Sequence, residues 1–195
     1  MRFGRYLLAA AVFASIISGC EFSRRERARA IRVGATAPEL AGDDLDGRPM
    51  KLSDYRGKVV LLDFWGRYCS GCRALARLER SLVQQYRNRP FVVLAVNTDV
   101  RIADARDAMR EEGATWRSWW DPHGEKGYAY HTPGYIPAIY LIDAEGKLRF
   151  LPPADLGPDD INNLLRQIEY LVRAAEGGRI AQGPWKRRPA ICTSD

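Results

Sequence analysis

Two cysteines separated by two residues, Cys69 and Cys72, are the residues of this chain best suited to redox chemistry. They follow an apolar run of β-type residues, VVLLDFW at 59–65, and precede a segment with helical spacing. A thiol at the start of a helix meets unpaired amide groups and the positive end of the helix dipole, which stabilise the thiolate. We therefore expect Cys69 to be the nucleophile. Cys72 follows almost one helical turn later on the same face, so we expect it to be the resolving thiol of a reversible disulfide.

The segments around the two cysteines alternate between strand and helix patterns. A short hairpin is predicted within residues 33–57, where the turn-forming residues 43–47 separate two strand-like stretches. The other predicted elements are strands at 58–65, 91–96, 138–142 and 147–151, helices at 70–87, 102–113 and 158–176, a tryptophan-rich connection at 116–120 and a polar turn at 121–124. This order predicts an α/β fold with a central mixed β-sheet flanked by helices on both faces, preceded by an N-terminal β-hairpin extension.

Composition favours a single folded unit with charged extensions. The 195 residues are 46% hydrophobic and 28% charged, which is typical of a globular domain. The net charge of +6 arises largely from basic residues near the two ends, at 24–32 and 179–188. Because the central region has no basic stripe with aromatic or groove-reading elements, we expect no nucleic-acid partner.

The N-terminus has the pattern of an export signal. Arg2 and Arg5 precede an apolar run at 6–17, which is shorter than the ~20 residues that a membrane-spanning helix needs. We expect residues 1–19 to be a signal peptide. The sequence Ile17-Ser18-Gly19-Cys20 resembles the bacterial lipobox, which predicts lipidation of Cys20; a cysteine that follows a differently cleaved signal is the alternative.

Lipidation at Cys20 predicts the organisation of the remaining chain. Residues 20–32 become a basic tether, 33–176 the folded domain and 177–195 a basic C-terminal tail. The protein is then expected to be a membrane-anchored lipoprotein, held by its lipid and facing the periplasm or the outer side of the cytoplasmic membrane. Of the four cysteines, Cys192 remains near the C-terminus without an assigned role. Because no second cysteine pair is present, we expect no zinc site, and no other metal or cofactor is predicted.

Four segments together resemble the thioredoxin superfamily, and within it the exported, membrane-anchored thiol-disulfide oxidoreductases of the TlpA and ResA type. They are LSDYRGK at 52–58, DFWGRYCSGCR at 63–73, YIPA at 135–138 and IDAEG at 142–146. A lone Cys-x-x-Cys motif is a weak signal, but its position after this strand, with a later Ile-Pro and an export signal, is specific. The resemblance implies a thioredoxin-like fold and a redox-active disulfide.

The resemblance also implies roles for residues around that disulfide. Pro137 is expected to be a cis-proline that faces the cysteines, and cis peptide bonds are essentially restricted to proline. The backbone at Ile136 is expected to pair with an extended substrate segment. Trp65 and Tyr68 are expected to pack beside the disulfide, shield it and contact substrate.

Asp63 matches the buried carboxylate that thioredoxin-like proteins place near the second cysteine. Burial would raise its pKa, so that it could accept the proton of Cys72 when that thiol attacks a mixed disulfide. The alternative is a strand aspartate that faces solvent at a sheet edge.

The chain departs from the pattern of these relatives at two places. Where many of them continue as Cys-Arg-x-Glu-x-Pro, this chain has CRALAR at 72–77. The motif glutamate is replaced by Leu75 and the proline is missing, so we assign acid-base chemistry to Asp63 and expect a straighter helix. Ser70-Gly71 replaces the Gly-Pro common between thioredoxin cysteines, which leaves the strength as reductant or oxidant open.

The sequence thus favours an exported enzyme that reduces disulfides of protein substrates through the Cys69–Cys72 couple. The resemblance implies a membrane electron donor of the DsbD or CcdA type, and cytochrome c maturation as a possible process. One alternative is a thiol peroxidase, although Arg67 and Tyr68 precede Cys69 where peroxidases of this scaffold have a different pattern. Another is copper handling of the SCO type with His131, although those relatives typically use Cys-x-x-x-Cys.

Overall fold

A five-stranded mixed sheet and a separate hairpin form the framework of the computed structural model, which describes residues 31–132 and 135–177. The predicted signal peptide, Cys20, most of the tether, nearly all of the tail and Cys192 lie outside the described residues. The strands are β1 Ala41–Asp43, β2 Pro49–Lys51, β3 Val59–Trp65, β4 Phe91–Asn97, β5 Arg117–Trp120, β6 Ala138–Ile142 and β7 Leu148–Phe150. The α-helices are α1 Ser70–Gln85, α2 Ile102–Glu111, α3 Glu125–Ala129 and α4 Pro158–Ala175, and a 3-10 turn spans Leu52–Tyr55.

The hairpin prediction is confirmed by β1 and β2, which pair in antiparallel register with Gly42 opposite Met50. The main sheet has the order β5-β4-β3-β6-β7. Strands β3, β4 and β5 are parallel, whereas β6 runs antiparallel to both β3 and β7. All seven residues of β3 are buried, as expected for a central strand covered on both faces. The predicted mixed sheet of a thioredoxin-like fold is therefore present.

The two faces of β3 carry different layers. Residues Val59 and Leu61 pack with side chains of α1 and α4, and α2 contributes Ala108 to the cluster that contains Trp65. Parallel crossovers are right-handed, and the steps from β3 to β4 and from β4 to β5 go in the same direction. Helices α1 and α2 therefore lie on the same face, side by side above the end of β3.

The opposite face of β3 packs against the hairpin segment, the 3-10 turn and the region of α3. Phe64 contributes to this layer together with Trp119, Tyr130 and Tyr140. The three six-membered rings of Phe64, Tyr130 and Tyr140 have centroids 5.0 to 5.7 Å apart. Through Phe64, this aromatic layer packs against the end of β3 that leads into the turn before Cys69.

The prediction of a connection at 116–120 was wrong, because Arg117–Trp120 forms the edge strand β5 beside β4. The sequence does not show the alternation of apolar and polar side chains that is typical of a strand. Trp119 is buried against the aromatic layer, while Ser118, a polar residue, is buried on the other face, where its hydroxyl accepts a hydrogen bond from Trp65 Nε1 at 3.2 Å. A buried serine paired with a residue 53 positions away leaves no local apolar signal.

The helix α3 was missed because its five residues are too few to show helical periodicity. It follows Gly124, which has a left-handed backbone conformation with φ of 73°. Its first turn is held by Asp121, whose Oδ2 accepts hydrogen bonds from the amides of Lys126 and Gly127, each at 3.0 Å. The element therefore depends on one polar side chain placed just before it.

Candidate active site

Cys69 and Cys72 form a disulfide at the N-terminus of α1, with Cα atoms 5.3 Å apart. Cys69 is the N-cap residue of this helix, in extended conformation, and its sulfur accepts a hydrogen bond from the amide of Cys72 at 3.0 Å. The exposed fractions are 8% for Cys69 and 4% for Cys72. Cys69 is thus the more exposed of the two residues and lies where the helix start stabilises negative charge, which fits the predicted roles of nucleophile and resolving thiol.

The turn before Cys69 is fixed by a side chain that the sequence did not reveal, Asp99. Both of its carboxylate oxygens lie 3.0 Å from the amide nitrogen of Arg67, which donates to them. Asn97 Nδ2 also donates to Asp99 at 2.7 Å, and the amide of Asp99 donates to Asn97 Oδ1 at 2.9 Å. This buried network ties the end of β4 to the turn between β3 and α1. It positions the backbone on which the nucleophile lies.

Pro137 lies against the cysteine turn, as the resemblance implied. The Ile136–Pro137 peptide bond is cis, and the carbonyl oxygen of Ile136 lies 3.5 Å from Cys69 Sγ. The Pro137 ring packs so closely on Gly71 that a Cβ atom there would lie 3.3 Å from Pro137 Cδ. The glycine between the two cysteines is therefore matched to the proline across from it. Roles of Pro137 and Ile136 in substrate binding stay predictions.

The two aromatic residues near the disulfide differ in their surroundings. Trp65 is buried in one cluster with Cys69, Cys72 and Ala108. Tyr68 is 74% exposed, and its hydroxyl lies 3.3 Å from Thr98 Oγ1. Of these two rings, Trp65 shields the disulfide, since Tyr68 leaves the turn toward solvent. An exposed ring beside the nucleophile remains suited to contact with a substrate.

Asp63 lies in the central strand, so the alternative of a solvent-facing edge position is wrong. Its neighbours in register are Ala95 of β4 and Ile139 of β6, and its side chain is 3% exposed. Burial raises the pKa of Asp63 to about 8, because the charged carboxylate loses its hydration. Along β3 it lies on the same face as Trp65, toward α1. At pH values near this pKa the carboxyl group is divided between its two protonation states, and its ionised form can accept the proton of Cys72.

A second buried carboxyl, Glu79, was missed in the sequence. It lies on the buried face of α1 with Cys72, Leu75, Ala76 and Leu82, and it is 1% exposed. Burial, and after it the charge of Asp63, raise the pKa of Glu79 well above its usual range. Its signal in the sequence is its spacing, seven residues after Cys72 and within the apolar stripe of the helix.

Asp63, Cys72 and Glu79 line one cavity between α1 and α2, with a volume of about 200 Å³. Trp65 and Trp116 form apolar parts of its wall, and the end of α2 forms its rim. The cavity thus brings two titratable carboxyls to the side of the disulfide that faces the protein interior.

Other sequence-based hypotheses find no further support in the described residues. Among residues 31–132 and 135–177, no group of three or more His, Cys, Asp and Glu side chains is arranged to hold a metal ion. His131 lies in the loop after α3, where its ring centroid is 6.5 Å from that of Tyr128. Within the same ranges, none of the helices combines the length and apolar character needed to cross a bilayer.

This fold and dithiol site are those of a thioredoxin-like thiol-disulfide oxidoreductase. Residues 33–151 match the AhpC/TSA family, to which the chain belongs. The thiol-disulfide oxidoreductase ResA of Geobacillus thermodenitrificans is 32% identical over 140 residues, which cover 72% of this chain and 80% of that protein. The chain is therefore a ResA-like thiol-disulfide oxidoreductase.

Solved structures agree with this assignment. A thiol:disulfide interchange protein from a Bacteroides species is 29% identical, with a TM-score of 0.62 over 75% of this chain and 95% of that one. The thioredoxin domain of a thiol-disulfide oxidoreductase from Bacteroides vulgatus is also 29% identical, with a TM-score of 0.61 over 71% of this chain and 99% of that domain.

Proposed function

We propose that this protein is an exported enzyme that reduces disulfides of protein substrates. The observation that carries the proposal is the position of Cys69, which caps α1, lies 3.5 Å from the Ile136 carbonyl oxygen and has Cys72 and the cavity of Asp63 behind it. A client sulfur can approach Cys69 from the side of Ile136 and Pro137. The resolving thiol and its proton acceptor lie on the opposite, interior side.

The reaction follows from this arrangement. The Cys69 thiolate attacks one sulfur of a client disulfide, the client S–S bond breaks, and one client thiolate leaves. Cys72 then gives its proton to the Asp63 carboxylate and attacks Cys69 Sγ, which expels the second client thiolate. The client gains two electrons and the Cys69–Cys72 pair loses two. A membrane donor of the DsbD or CcdA type would return the pair to the dithiol state.

A groove beside Pro137 supports a polypeptide substrate. It has a volume of about 710 Å³ and is lined mainly by apolar side chains, among them Leu75, Leu78, Leu156 and Ile161. Leu75 is the residue found where many relatives have the motif glutamate. A client segment that extends past Cys69 could place an apolar side chain there.

Export and anchoring rest on the N-terminal sequence. The basic start, the short apolar run and Cys20 support a lipid anchor on the outer side of the cytoplasmic membrane, where a membrane electron donor could reach the cysteines. Cytochrome c maturation is a process that fits a reductant at this place. Labelling with a radioactive fatty acid should mark the wild-type protein and not Cys20→Ser; equal labelling of both would refute the anchor.

The function itself is tested by reduction of insulin with dithiothreitol as electron source. Wild-type protein should accelerate the reaction, whereas Cys69→Ser and Cys72→Ser should lose the acceleration. Wild-type rates in both variants would refute the scheme. The reduction potential separates the two directions: a value near about −270 mV indicates a reductant, and one near about −120 mV an oxidant.

A further inference from the structure

Two carboxyl groups line one small cavity, and each has an oxygen atom without a hydrogen-bond partner in the part of the chain that the structure describes. Within the described residues, Asp63 Oδ1 and Glu79 Oε1 are two of the three buried side-chain oxygens that have no hydrogen-bond partner in the protein. Both side chains are more than nine-tenths buried, and both line the cavity that reaches Cys72. Buried polar atoms without partners are costly, so their retention at one place points to a use.

The charged groups around the cavity do not neutralise this pair. Arg67, from the turn after β3, and Arg73, from the first turn of α1, line the cavity, as do Glu111 and Glu112 at the end of α2. Arg67 forms an ion pair with Glu111, and Arg73 forms one with Glu112 at 2.9 Å. Both cations on the cavity wall are therefore engaged by acidic partners on the rim. Asp63 and Glu79 therefore face each other's charge across one cavity, while both side chains are almost fully buried.

Two carboxylates in such a space do not ionise independently. The first negative charge disfavours the second, so the pair gives up its two protons in two separated steps that belong to the pair and not to one residue. Over the interval between these steps the pair holds one proton and one negative charge. Either carboxyl group can carry that charge.

From this arrangement, and on the basis of the proposed function, we propose that Glu79 is a positioning residue of the thiol chemistry: it shares one proton with Asp63 and so determines the pH range in which Asp63 can accept the proton of Cys72. When Cys72 attacks Cys69 Sγ, its proton passes to the carboxylate of Asp63. While the pair holds a single charge, that charge lies on Asp63 for only part of the time. Because of Glu79, Asp63 therefore stays partly protonated up to a higher pH than it would if it titrated alone.

The test uses the reduced full-length chain and an aromatic disulfide, dithiobis(nitrobenzoate). Attack by Cys69 releases one nitrothiobenzoate anion and leaves the other bound to Cys69. Attack by Cys72 then releases the second, so the rate of the second release reports the deprotonation of Cys72. The rate is measured from pH 6 to 10 for wild type, Glu79→Gln and Glu145→Gln. Glu145, with 73% of its side chain exposed in the turn between β6 and β7, provides the same chemical change away from the cavity.

We expect the wild-type profile to rise in two steps and that of Glu79→Gln to rise in one, with its midpoint lower by about half a pH unit or more. A glutamine side chain at position 79 cannot carry the charge, so Asp63 ionises without competition. The profile of Glu145→Gln should match wild type. Superimposable profiles for wild type and Glu79→Gln would overturn the inference. Absence of both releases in wild type would instead refute the proposed function.

A second measurement, on the wild-type protein, tests the inference even if Glu79→Gln does not fold. Carbon-13 NMR of the side-chain carboxyl carbons in the reduced wild-type protein follows both groups directly. The Asp63 and Glu79 signals should respond over the same two pH intervals. A single-step titration of Asp63 to which the Glu79 signal does not respond would overturn the shared proton.

Discussion

The sulfur of Cys69 lies 3.5 Å from the carbonyl oxygen of Ile136, a residue 67 positions later in the chain. The contact joins the start of α1 to the segment that opens β6. It places the nucleophile beside backbone that a client strand could pair with, while Pro137 packs on Gly71. The Cys69 sulfur, the backbone of Ile136 and the groove beside Pro137 thus lie at one edge of the domain, which gives the first prediction.

A side chain larger than glycine at position 71 should impair client binding more than thiol chemistry. In Gly71→Val the added Cβ would lie 3.3 Å from Pro137 Cδ, and the γ-carbons would press further on the ring. We expect kcat/KM for insulin reduction to fall about tenfold or more, which corresponds to ~1.4 kcal/mol. The rate of Cys69 alkylation should change less than about threefold, which corresponds to ~0.7 kcal/mol. Ser70→Val, an exposed neighbour in the same helical turn, is the matched control. Equal losses in both variants would contradict the packing argument.

Burial of Asp63 should make the protein less stable as pH rises. Its pKa in the folded state is raised to about 8, whereas an unfolded aspartate titrates near about 3.9. Between these values the folded state binds more protons than the unfolded state, so stability is fully present below about pH 4 and falls as pH rises toward 8. Asp63→Asn should remove the part of this slope that Asp63 contributes, leaving the part due to Glu79, and raise the free energy of unfolding at pH 8 by ~2–5 kcal/mol.

Urea unfolding of the oxidised protein from pH 5 to 8 measures this effect. Asp46→Asn, at an aspartate with 65% of its side chain exposed in the hairpin turn, should leave the pH dependence unchanged. If Asp63→Asn and wild type showed parallel pH profiles, Asp63 would not be the group that loses hydration on folding.

Removal of the Asp99 carboxylate should loosen the turn that carries Cys69. Asp99→Ala leaves the partly buried amide of Arg67 and the buried side chain of Asn97 without their acceptor, at a cost of about 1–3 kcal/mol. Asp99→Asn keeps one acceptor oxygen and should lose less. Thermal unfolding measures the stability, and alkylation of reduced Cys69 reports the local geometry. An unchanged melting temperature in Asp99→Ala would contradict this role.

The central features of the fold and site were predictable because their signals are local. The run at 59–65 marks a buried strand, and Cys69 and Cys72 follow where a helical stripe begins. The turn residues predict the hairpin of β1 and β2, and Pro158 together with a regular apolar stripe predicts α4. Each of these signals lies within one element, so no knowledge of the neighbours is needed.

The parts that were missed depend on contacts between distant segments. Ser118 looks like a loop residue until its hydroxyl is seen to accept from Trp65, and Asp99 looks like a surface aspartate until it is seen to hold the amide of Arg67. Glu79 is an ionisable residue in an apolar stripe, and only the packing of α1 against β3 shows that it lines the same cavity as Asp63. Polar groups buried by tertiary contacts have no periodicity that would set them apart from exposed ones.

The most direct test of the account is to trap the mixed disulfide with a protein client. Cys72→Ser protein, reduced and mixed with insulin, should accumulate a covalent adduct through Cys69 that dithiothreitol releases, because no resolving thiol remains. Cys69→Ser should form little adduct, since Cys72 is the more buried residue, with 4% exposure against 8% for Cys69. Mass spectrometry of the adduct identifies the linked cysteine. An adduct that forms through Cys72 in preference, or none in either variant, would contradict the assignment of Cys69 as the nucleophile.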